Sequence, residues 1–401
     1  MEEKKIIKLG LFQTIIIAII VILLILFIII TSINKHSDNK KVKADLFSIK
    51  TNENQMLTEN NKIEKISSKD IAIVPTLEDK ITTNSAWCGT LQLVWNDMIN
   101  NVVKQDVIFT PQTQTVENLN RQLFKEDQLS EKDYYKVYDL LTKDLKKKIE
   151  KSIRSKFNEK SDILDQIDWS KAPQNNSGYL DSNDKRYLFY AMLYKKFKFE
   201  NKFDELKNGM FGTKYKDIKY FGIDGSSDEK LYSQVDVLYY NSEKDFAIIL
   251  NTEEGEEVIL TRGAIGNNFA TIYNNIVNNS NNYSGKKQFT ENDYLKVPNI
   301  KFNVNKTFNE LCNNKFYAKN GDICNIEQAI QTIKVELDRE GGKIKSEAAV
   351  VMSSGAVART EPVVQHRYFY LNDEFTMFLK ESDKDVPYFA ANIEDITLFQ
   401  N

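Results

Sequence analysis

The spacing of apolar residues changes near the middle of the chain. Upstream of about residue 170, apolar positions recur every three or four residues, which is the period of a helix with one buried face. This spacing predicts helices over residues 85–103, 116–124, 130–148, 152–157 and 162–167. Ser130 followed by Asp133 is a variant of the capping box, and it sets the start of the third helix.

Downstream of residue 185, short strands replace the helices. Residues 187–194 form an unbroken apolar and aromatic run, which is typical of a central strand buried on both faces. Shorter strands are predicted at 215–223, 234–240, 246–251 and 257–260, and a further helix at 267–277. Helices followed by many sequential strands indicate an α+β domain.

The N-terminal segment has the pattern of a membrane anchor. Residues 9–34 carry no charge, and 15–30 are wholly apolar. Because roughly 20 apolar residues span a bilayer as a helix, this segment is predicted to cross the membrane. A buried core helix is the alternative. No small-residue cleavage site is evident after it, which favours an uncleaved signal-anchor.

The anchor divides the chain into four parts. We expect a short cytoplasmic tail (1–8), a single transmembrane signal-anchor helix (9–34), a polar stalk (35–82) and a folded domain (83–401). Lysines occur on both sides of the span, so the positive-inside rule does not fix the orientation. Because the segment before the span is short, we expect the domain to lie outside the cell, held at the cell membrane.

The composition of the chain limits the partners and cofactors that it is expected to bind. The 401 residues have a net charge of −3, so nothing favours nucleic acid as a partner. Two histidines and three scattered cysteines lack the spacing of a zinc site, and we predict neither a metal nor a cofactor. Cys312 and Cys324 could close a small disulfide loop in an oxidising exterior. Cys88 is expected to be a small buried hydrophobe.

The end of the chain combines strands with a loop of small residues. A strand pattern at residues 333–341 precedes a stretch rich in small residues at 346–356, and strand patterns follow at 375–379 and 388–393. This order of strand, exposed loop and returning strands resembles the C-terminal signature of the serpins.

The resemblance extends upstream through the order of the predicted strands. It rests on the residues at 187–203, 219–222, 234–240, 245–250, 296–302, 308–311 and 326–341. It covers about residues 185 to 395, whereas 83–169 matches poorly. It implies a bacterial, membrane-anchored, serpin-like α+β protein, in which helices of the N-terminal half pack on a large mixed sheet with smaller sheets beside it.

In the serpins, an exposed loop is the active part. It is bait for a serine or cysteine protease, which is trapped as an acyl-enzyme when the loop inserts into the inhibitor's own sheet. The resemblance places this loop at about 342–362. It therefore implies a protease inhibitor, and not an enzyme, that acts as a monomer on a protease.

Insertion requires alternate side chains of the loop to face the core. Residues 338–341 can be aligned on the family's Asn-Glu-Glu-Gly, and the hinge is then Glu340, Gly341, Gly342, Ile344, Ser346 and Ala348. Lys343, Lys345 and Glu347 face solvent in this register, whereas a shift by one residue would bury all three charges. Ile344 is bulkier than the usual alanine and is expected to slow insertion.

Two bonds are candidates for cleavage by the protease. The family's spacing places the scissile bond about fourteen residues past Gly341, near Gly355 and Ala356. Slightly further on, Arg359 and Thr360 form the bond that a trypsin-like protease would cut. An ordinary exposed arginine in a loop is the other interpretation of Arg359.

Two other functions fit parts of the sequence. A non-inhibitory serpin fold could serve in surface binding or structure, because a fold does not determine function. A cysteine hydrolase is a more remote alternative, in which Cys88 is the nucleophile, His366 supplies the imidazole and Asn372 orients it.

Overall fold

The computed structural model describes residues 70–179, 185–340 and 365–400. The predicted tail, the membrane helix and most of the stalk lie outside these ranges, as does the predicted bait loop. Within the described ranges, no helix has both the length and the apolar character needed to cross a membrane.

Sixteen strands account for most of the described secondary structure. They are β1 (Ala72–Val74), β2 (Ser85–Cys88), β3 (Tyr134–Leu140), β4 (Lys185–Lys195), β5 (Asp204–Phe211), β6 (Tyr215–Ile223), β7 (Val235–Ser242), β8 (Asp245–Asn251), β9 (Glu256–Arg262), β10 (Asp293–Pro298), β11 (Ile300–Thr307), β12 (Lys315–Tyr317), β13 (Ile323–Leu337), β14 (Arg367–Tyr370), β15 (Phe375–Glu381) and β16 (Phe389–Ile393).

Helices are fewer and mostly short. The α-helices are α1 (Thr90–Asp97), α2 (Gln114–Asn120), α3 (Lys143–Phe157) and α4 (Phe269–Asn282), and a π-helix (Met98–Val103) continues α1. Short 3₁₀ turns lie at Glu126–Gln128, Glu131–Asp133, Asp162–Gln166, Trp169–Lys171, Asn176–Tyr179, Glu229–Gln234, Asn309–Leu311 and Ile396–Phe399.

The strands form three sheets. The seven-stranded sheet has the order β1-β2-β16-β15-β9-β8-β7, and the four-stranded sheet has the order β14-β10-β6-β5. The five-stranded sheet has the order β11-β13-β4-β3, with β12 paired to β13. The predicted α+β class is confirmed, and the predicted strands at 187–194, 234–240, 246–251 and 375–379 correspond to β4, β7, β8 and β15.

The predicted helix at 130–148 is wrong over its first half. Tyr134–Leu140 is β3, an edge strand that pairs antiparallel with β4, and the helix begins only at Lys143. Three tyrosines and a valine in seven residues favour a strand, which outweighs the apolar spacing. Asp133 does not cap a helix, because its carboxylate binds Lys195.

The predicted starts of the first helix and of the folded domain are both wrong. Ser85–Cys88, predicted as the first turn of a helix, is a fully buried strand that pairs with β1 and β16. The domain boundary predicted near Thr83 falls inside the seven-stranded sheet, because Ala72–Val74 pairs in parallel with β2. The packed region therefore includes residues that were assigned to the stalk.

Helix α3 covers one face of the five-stranded sheet. Leu145, Ile149, Ile153 and Phe157 are buried at a spacing of four residues. They share a hydrophobic cluster with Leu188, Tyr190 and Met192 of β4 and Ile330 of β13. Thr142 caps the start of the helix by accepting from the Leu145 amide at 3.1 Å. The helix therefore packs on both strands at the centre of the sheet.

Candidate functional site

The two central strands of the five-stranded sheet, β4 and β13, run parallel. Their ladder, called here the central seam, extends from Cys324 opposite Lys185 to Val335 opposite Lys195. On their outer sides, β4 pairs antiparallel with β3 and β13 pairs antiparallel with β11. Since parallel strands end at the same edge of a sheet, the chain that leaves β13 near Glu340 starts beside the end of β4.

The middle of the seam is buried on both faces. Residues 188–193 of β4 are 0% exposed. Helix α3 covers one face, and Trp95 of α1 packs against Phe189 on the other, with ring centroids 6.1 Å apart. A strand added here would therefore have to present side chains that suit an apolar environment on both faces.

A buried glutamine interrupts the apolar character of the seam. Gln331 of β13 is 0% exposed, and its amide nitrogen donates to the Cys88 carbonyl at 3.0 Å and to the Thr90 hydroxyl at 2.9 Å. Its side-chain oxygen has no hydrogen-bond partner among the described residues. These two hydrogen bonds of Gln331 hold β13 against the start of α1.

Backbone hydrogen bonds hold the end of β13, just before the residues predicted to form the bait loop. The Phe203 amide donates to the Arg339 carbonyl at 2.9 Å, and the Phe199 amide donates to the Glu340 carbonyl at 3.0 Å. Phe199 and Phe203 also contact each other edge to face, with centroids 4.7 Å apart. We call this junction of residues 199–205 with 338–340 the hinge clamp.

Two ion pairs add to the hinge clamp. The Arg339 guanidinium lies 2.8 Å from the Glu205 carboxylate, and the Lys202 ammonium pairs with the Glu340 carboxylate. All four side chains are at least partly exposed, so each ion pair contributes little to the free energy of unfolding.

Of the predicted hinge residues, Glu340 lies in the hinge clamp. The other predicted hinge residues, Gly341, Gly342, Ile344, Ser346 and Ala348, lie outside the described residues, as do the candidate scissile residues Gly355, Ala356, Arg359 and Thr360.

A buried lysine, Lys195, is the last residue of β4 in the central seam. The Lys195 side chain is 0% exposed, and its ammonium lies 2.6 Å from the Asp133 carboxylate and also pairs with Glu256. The Tyr388 ring centroid lies 6.0 Å from the ammonium. Burial raises the pKa of Glu256, and the hydrogen bond from Lys195 opposes that change. The three charges link β4 to β9 of the seven-stranded sheet.

Three carboxylates gather at this lysine. One oxygen each from Asp133, Glu256 and Glu381 lies within 4.8 Å of the others, a spacing that would suit a metal ion. The Lys195 ammonium already supplies the positive charge between two of them, and Glu381 accepts from the Ser130 amide at 2.6 Å. The cluster is therefore satisfied by the protein's own groups.

Neither Lys195 nor Gln331 was predicted from the sequence to be part of the site. Lys195 directly follows the apolar run at 187–194, and a charge at that place signals a buried partner. Its partners, Asp133 and Glu256, are about sixty residues away in each direction. No local pattern could have identified them.

The remote alternative of a cysteine-hydrolase dyad is wrong, whereas the expectation that Cys88 is a small buried residue is confirmed. Cys88 is 1% exposed, its sulfur lies 3.3 Å from the Thr90 hydroxyl, and burial raises the pKa of its thiol to about 11. His366 is exposed, and its Nδ1 lies 3.1 Å from the Asn292 carbonyl. Asn372 accepts from Arg262 at 3.1 Å. The thiol is protonated at neutral pH and is not paired with the imidazole.

The predicted disulfide is also wrong. Cys312 and Cys324 are both free and buried. The Cys312 thiol donates to the Phe308 carbonyl at 3.3 Å, and burial raises its pKa to about 11. Cys324 is held in the ladder between β13 and β12, opposite Phe316. Both thiols act as small core side chains.

The fold is similar to several solved structures. One is a highly specific serpin of the insect Tenebrio molitor, with a TM-score of 0.45 and 12% identity, covering 78% of this chain and 92% of that chain. A second is the serine protease inhibitor serpin-12 of Manduca sexta, with a TM-score of 0.45 and 14% identity, covering 80% and 94%. A third is the thermophilic tengpin in its native state, with a TM-score of 0.46 and 10% identity, covering 80% and 90%. All three are serpins. No protein-family model and no curated protein matches the sequence.

Proposed function

We propose that this protein is a serpin-like inhibitor that presents residues of about 342–362 as bait and traps a serine or cysteine protease by inserting that loop into the central seam. The observation that carries the proposal is the parallel pairing of β4 and β13. A chain leaving the end of β13 can fold back between the two strands only by running antiparallel to both.

The exchange of ladders favours insertion. One parallel ladder, from Cys324–Lys185 to Val335–Lys195, would be replaced by two antiparallel ladders. Antiparallel pairing is slightly more stable per residue than parallel pairing, and the inserted strand doubles the number of ladders. The inserted form is therefore the more stable one once the loop is free to enter.

The side chains of the loop suit this exchange in one register. Gly342, Ser346 and Ala348 face one side of the seam in the register described above, and Lys343 and Lys345 face the other. Because the seam is covered on both faces, insertion also requires α3 to move away from the sheet. The seam is buried at 188–193, so an inward charge would cost several kcal/mol. The target is a protease that cleaves near Gly355 or after Arg359. We place the domain outside the cell, anchored by residues 9–34.

The test is covalent capture. The full chain is incubated with trypsin-like, elastase-like and papain-like proteases, and SDS-resistant complexes are sought on gels. We expect a complex with at least one protease, and a rise in thermal stability after cleavage within 353–360. Cleavage there with neither a complex nor a rise in stability would contradict the proposal.

Two variants of the loop give matched controls. Ala348→Arg is expected to abolish trapping while leaving cleavage intact, because the arginine would have to enter the buried seam. Ile344→Ala is expected to raise the trapped fraction, because a smaller side chain inserts faster. Normal trapping by Ala348→Arg would show that the register is wrong.

The second candidate is a non-inhibitory protein of the same fold that binds a partner at the surface. It is favoured by the contacts that keep the seam closed, namely the hinge clamp and the hydrogen bonds of Gln331. It predicts that loop cleavage by any protease yields only the free products, with an unchanged melting temperature. The same gels and melting curves therefore distinguish the two candidates.

A further inference from the structure

Exposed apolar side chains gather at the end of the five-stranded sheet where β13 begins. Within the described ranges seven large apolar side chains are exposed, and four of them lie here. These four are Val102, Ile108, Tyr317 and Ile323, at 37%, 65%, 64% and 42% exposure. The other three lie on β5, after β9 and on α4. We call the group of four the apolar tip.

Two segments that lie side by side form the apolar tip. Tyr317 is directly opposite Ile323 in the ladder of β12 with β13, so their side chains are on the same face. The segment between the π-helix and α2 runs along β12. Its Val103 carbonyl accepts from the Lys319 amide at 2.8 Å, and Gln105 Nε2 donates to the Tyr317 carbonyl at 2.8 Å. The exposed side chains of both segments therefore belong to one surface.

The packing behind the apolar tip holds these side chains outward. Val107 and Phe109, on either side of Ile108, are both buried. Phe109 contacts Phe316, with ring centroids 5.9 Å apart, and Phe316 directly precedes Tyr317 and is 1% exposed. The backbone on each segment is thus fixed by buried neighbours. A fixed apolar surface of this kind is typical of a contact with a partner or a membrane.

The size of the apolar tip decides between a protein and a membrane. At about 200 Å² for each fully exposed side chain, the tip exposes about 400 Å². Each partner in a stable complex buries about 800 Å², so the tip is too small to hold a second protein by itself. A weak contact is enough when the partner is already held at high effective concentration. The proposed anchor at residues 9–34 would provide this concentration for a lipid surface.

The charges beside the apolar tip nearly cancel. Lys104, Lys315 and Lys319 are exposed there, as are Asp106 and Asp322. Attraction to an anionic surface is therefore small, and apolar burial is the main source of affinity. Long lysine side chains can reach lipid headgroups while the tyrosine ring lies at the boundary with the acyl chains. The contact is expected to depend little on salt.

We propose that the apolar tip rests on a lipid bilayer, with its four side chains at the boundary between headgroups and acyl chains. This contact presupposes the proposed anchoring at the cell membrane and adds an orientation to it. The 15 residues of β13 extend about 50 Å, and the hinge clamp lies at the other end of this strand. The end of the sheet from which the predicted bait loop leaves then faces away from the membrane.

The experiment uses the full chain in vesicles of phosphatidylcholine and phosphatidylglycerol whose acyl chains carry bromine, a quencher of tryptophan emission. In Tyr317→Trp, the emission of the added tryptophan should be lost in brominated vesicles and kept in unbrominated ones, at low and at high salt. Ile265→Trp is the matched control, because Ile265 is 80% exposed and lies outside the apolar tip. Its added emission should be the same in both kinds of vesicle.

Two double variants test whether the apolar character of the tip makes the contact. On the Tyr317→Trp background, Ile108→Ser/Ile323→Ser should remove the quenching by bromine. Met210→Ser/Val277→Ser changes two exposed apolar residues elsewhere and should leave the quenching unchanged. Denaturant unfolding checks that both variants are folded. Protease trapping is measured separately on gels, so its failure would not affect this test.

Four results would overturn the inference. Equal quenching of the tryptophans at 317 and 265 would mean that the domain adsorbs without a preferred surface. Chains that float with the vesicles but show no quenching at 317 would keep the anchor and exclude the tip. Chains that do not float would contradict both. Shielding of the tryptophan at 317 from a soluble quencher, without quenching by bromine, would replace the lipid with a second copy of the chain.

Discussion

The seven-stranded sheet and the five-stranded sheet bury their central strands equally well but hold them by different contacts. In β15 and β16 the pairing is antiparallel, and Phe378 and Phe389 are 0% exposed within an apolar environment. In the central seam the pairing is parallel, a buried Gln331 lies in its middle and a buried Lys195 lies at its end. Buried polar side chains occur in both sheets, since the Thr376 hydroxyl of β15 donates to Asn392 of β16 at 2.8 Å. What sets the seam apart is its parallel ladder and the buried lysine at its end.

This difference has a physical meaning. The antiparallel ladder of β15 and β16 has nothing to gain from rearrangement, because its backbone groups are paired and the Thr376 hydroxyl donates to Asn392. The parallel ladder of the seam can be exchanged for two antiparallel ladders, which are slightly more stable per residue. We infer that the seven-stranded sheet is the rigid part and that the seam is the part able to change.

The largest effect is expected at Lys195. Lys195→Met would leave the buried carboxylates of Asp133 and Glu256 without their cation and should lower the free energy of unfolding by about 3 to 5 kcal/mol. Lys380→Met is the comparison in the seven-stranded sheet, where the partner Glu257 is more exposed. Its loss should be about 1 to 3 kcal/mol. Urea unfolding of both variants measures the difference.

The order of these two losses is the critical outcome. If Lys380→Met destabilises the protein as much as Lys195→Met, the seam is not distinguished by its buried charges. Lys195→Met/Asp133→Asn/Glu256→Gln provides a further check, because removing all three charges together should restore most of the lost stability.

A smaller effect is expected from pH. Burial raises the pKa of Glu256 above its ordinary value of 4.5, so its contribution to stability is fully present below that value and is lost as pH rises through the raised pKa. Relative to Glu256→Gln, the unchanged protein should therefore become less stable as the pH rises from 4.5 through the raised pKa of Glu256. The loss should be about 1.4 kcal/mol for each pH unit by which the pKa of Glu256 in the folded protein exceeds that in the unfolded chain. Denaturant unfolding at stepped pH measures this, and parallel pH profiles would contradict it.

The strands of the seam could be predicted because each has a regular pattern of buried residues. Residues 187–194 are a long apolar run, and residues 333–337 alternate apolar with charged side chains; both patterns leave a clear signal in one sequence. Their direct pairing could not be read from any local pattern, because the two strands are far apart in the chain.

The errors fall where burial is partial or partners are distant. In β3, every residue after Tyr134 is only partly buried, so its tyrosines looked like one face of a helix. Glu340 was predicted to be a hinge residue, but its ion pair with Lys202 and the neighbouring pair of Arg339 with Glu205 were not predicted. Ion pairs between exposed side chains leave no pattern in a single sequence, since either residue could equally face water.

The smallest effect on stability is expected at the hinge clamp. Arg339→Gln removes a partly exposed ion pair and should change the free energy of unfolding by no more than about 1 kcal/mol. Lys132→Gln, which removes the exposed pair with Glu254, is the matched control outside the clamp and should change stability by a similar amount.

The two variants should differ in kinetics, although they agree in stability. The Arg339 carbonyl and side chain both hold the end of β13 where the loop would enter, so Arg339→Gln should raise the rate at which a bound protease is trapped. Lys132→Gln should leave that rate unchanged. Gel assays of complex formation, in which the reaction is quenched at successive times, measure the rate of trapping. Equal rates for both variants would place the opening step elsewhere in the seam, because a clamp that limits insertion must release faster when one of its contacts is removed.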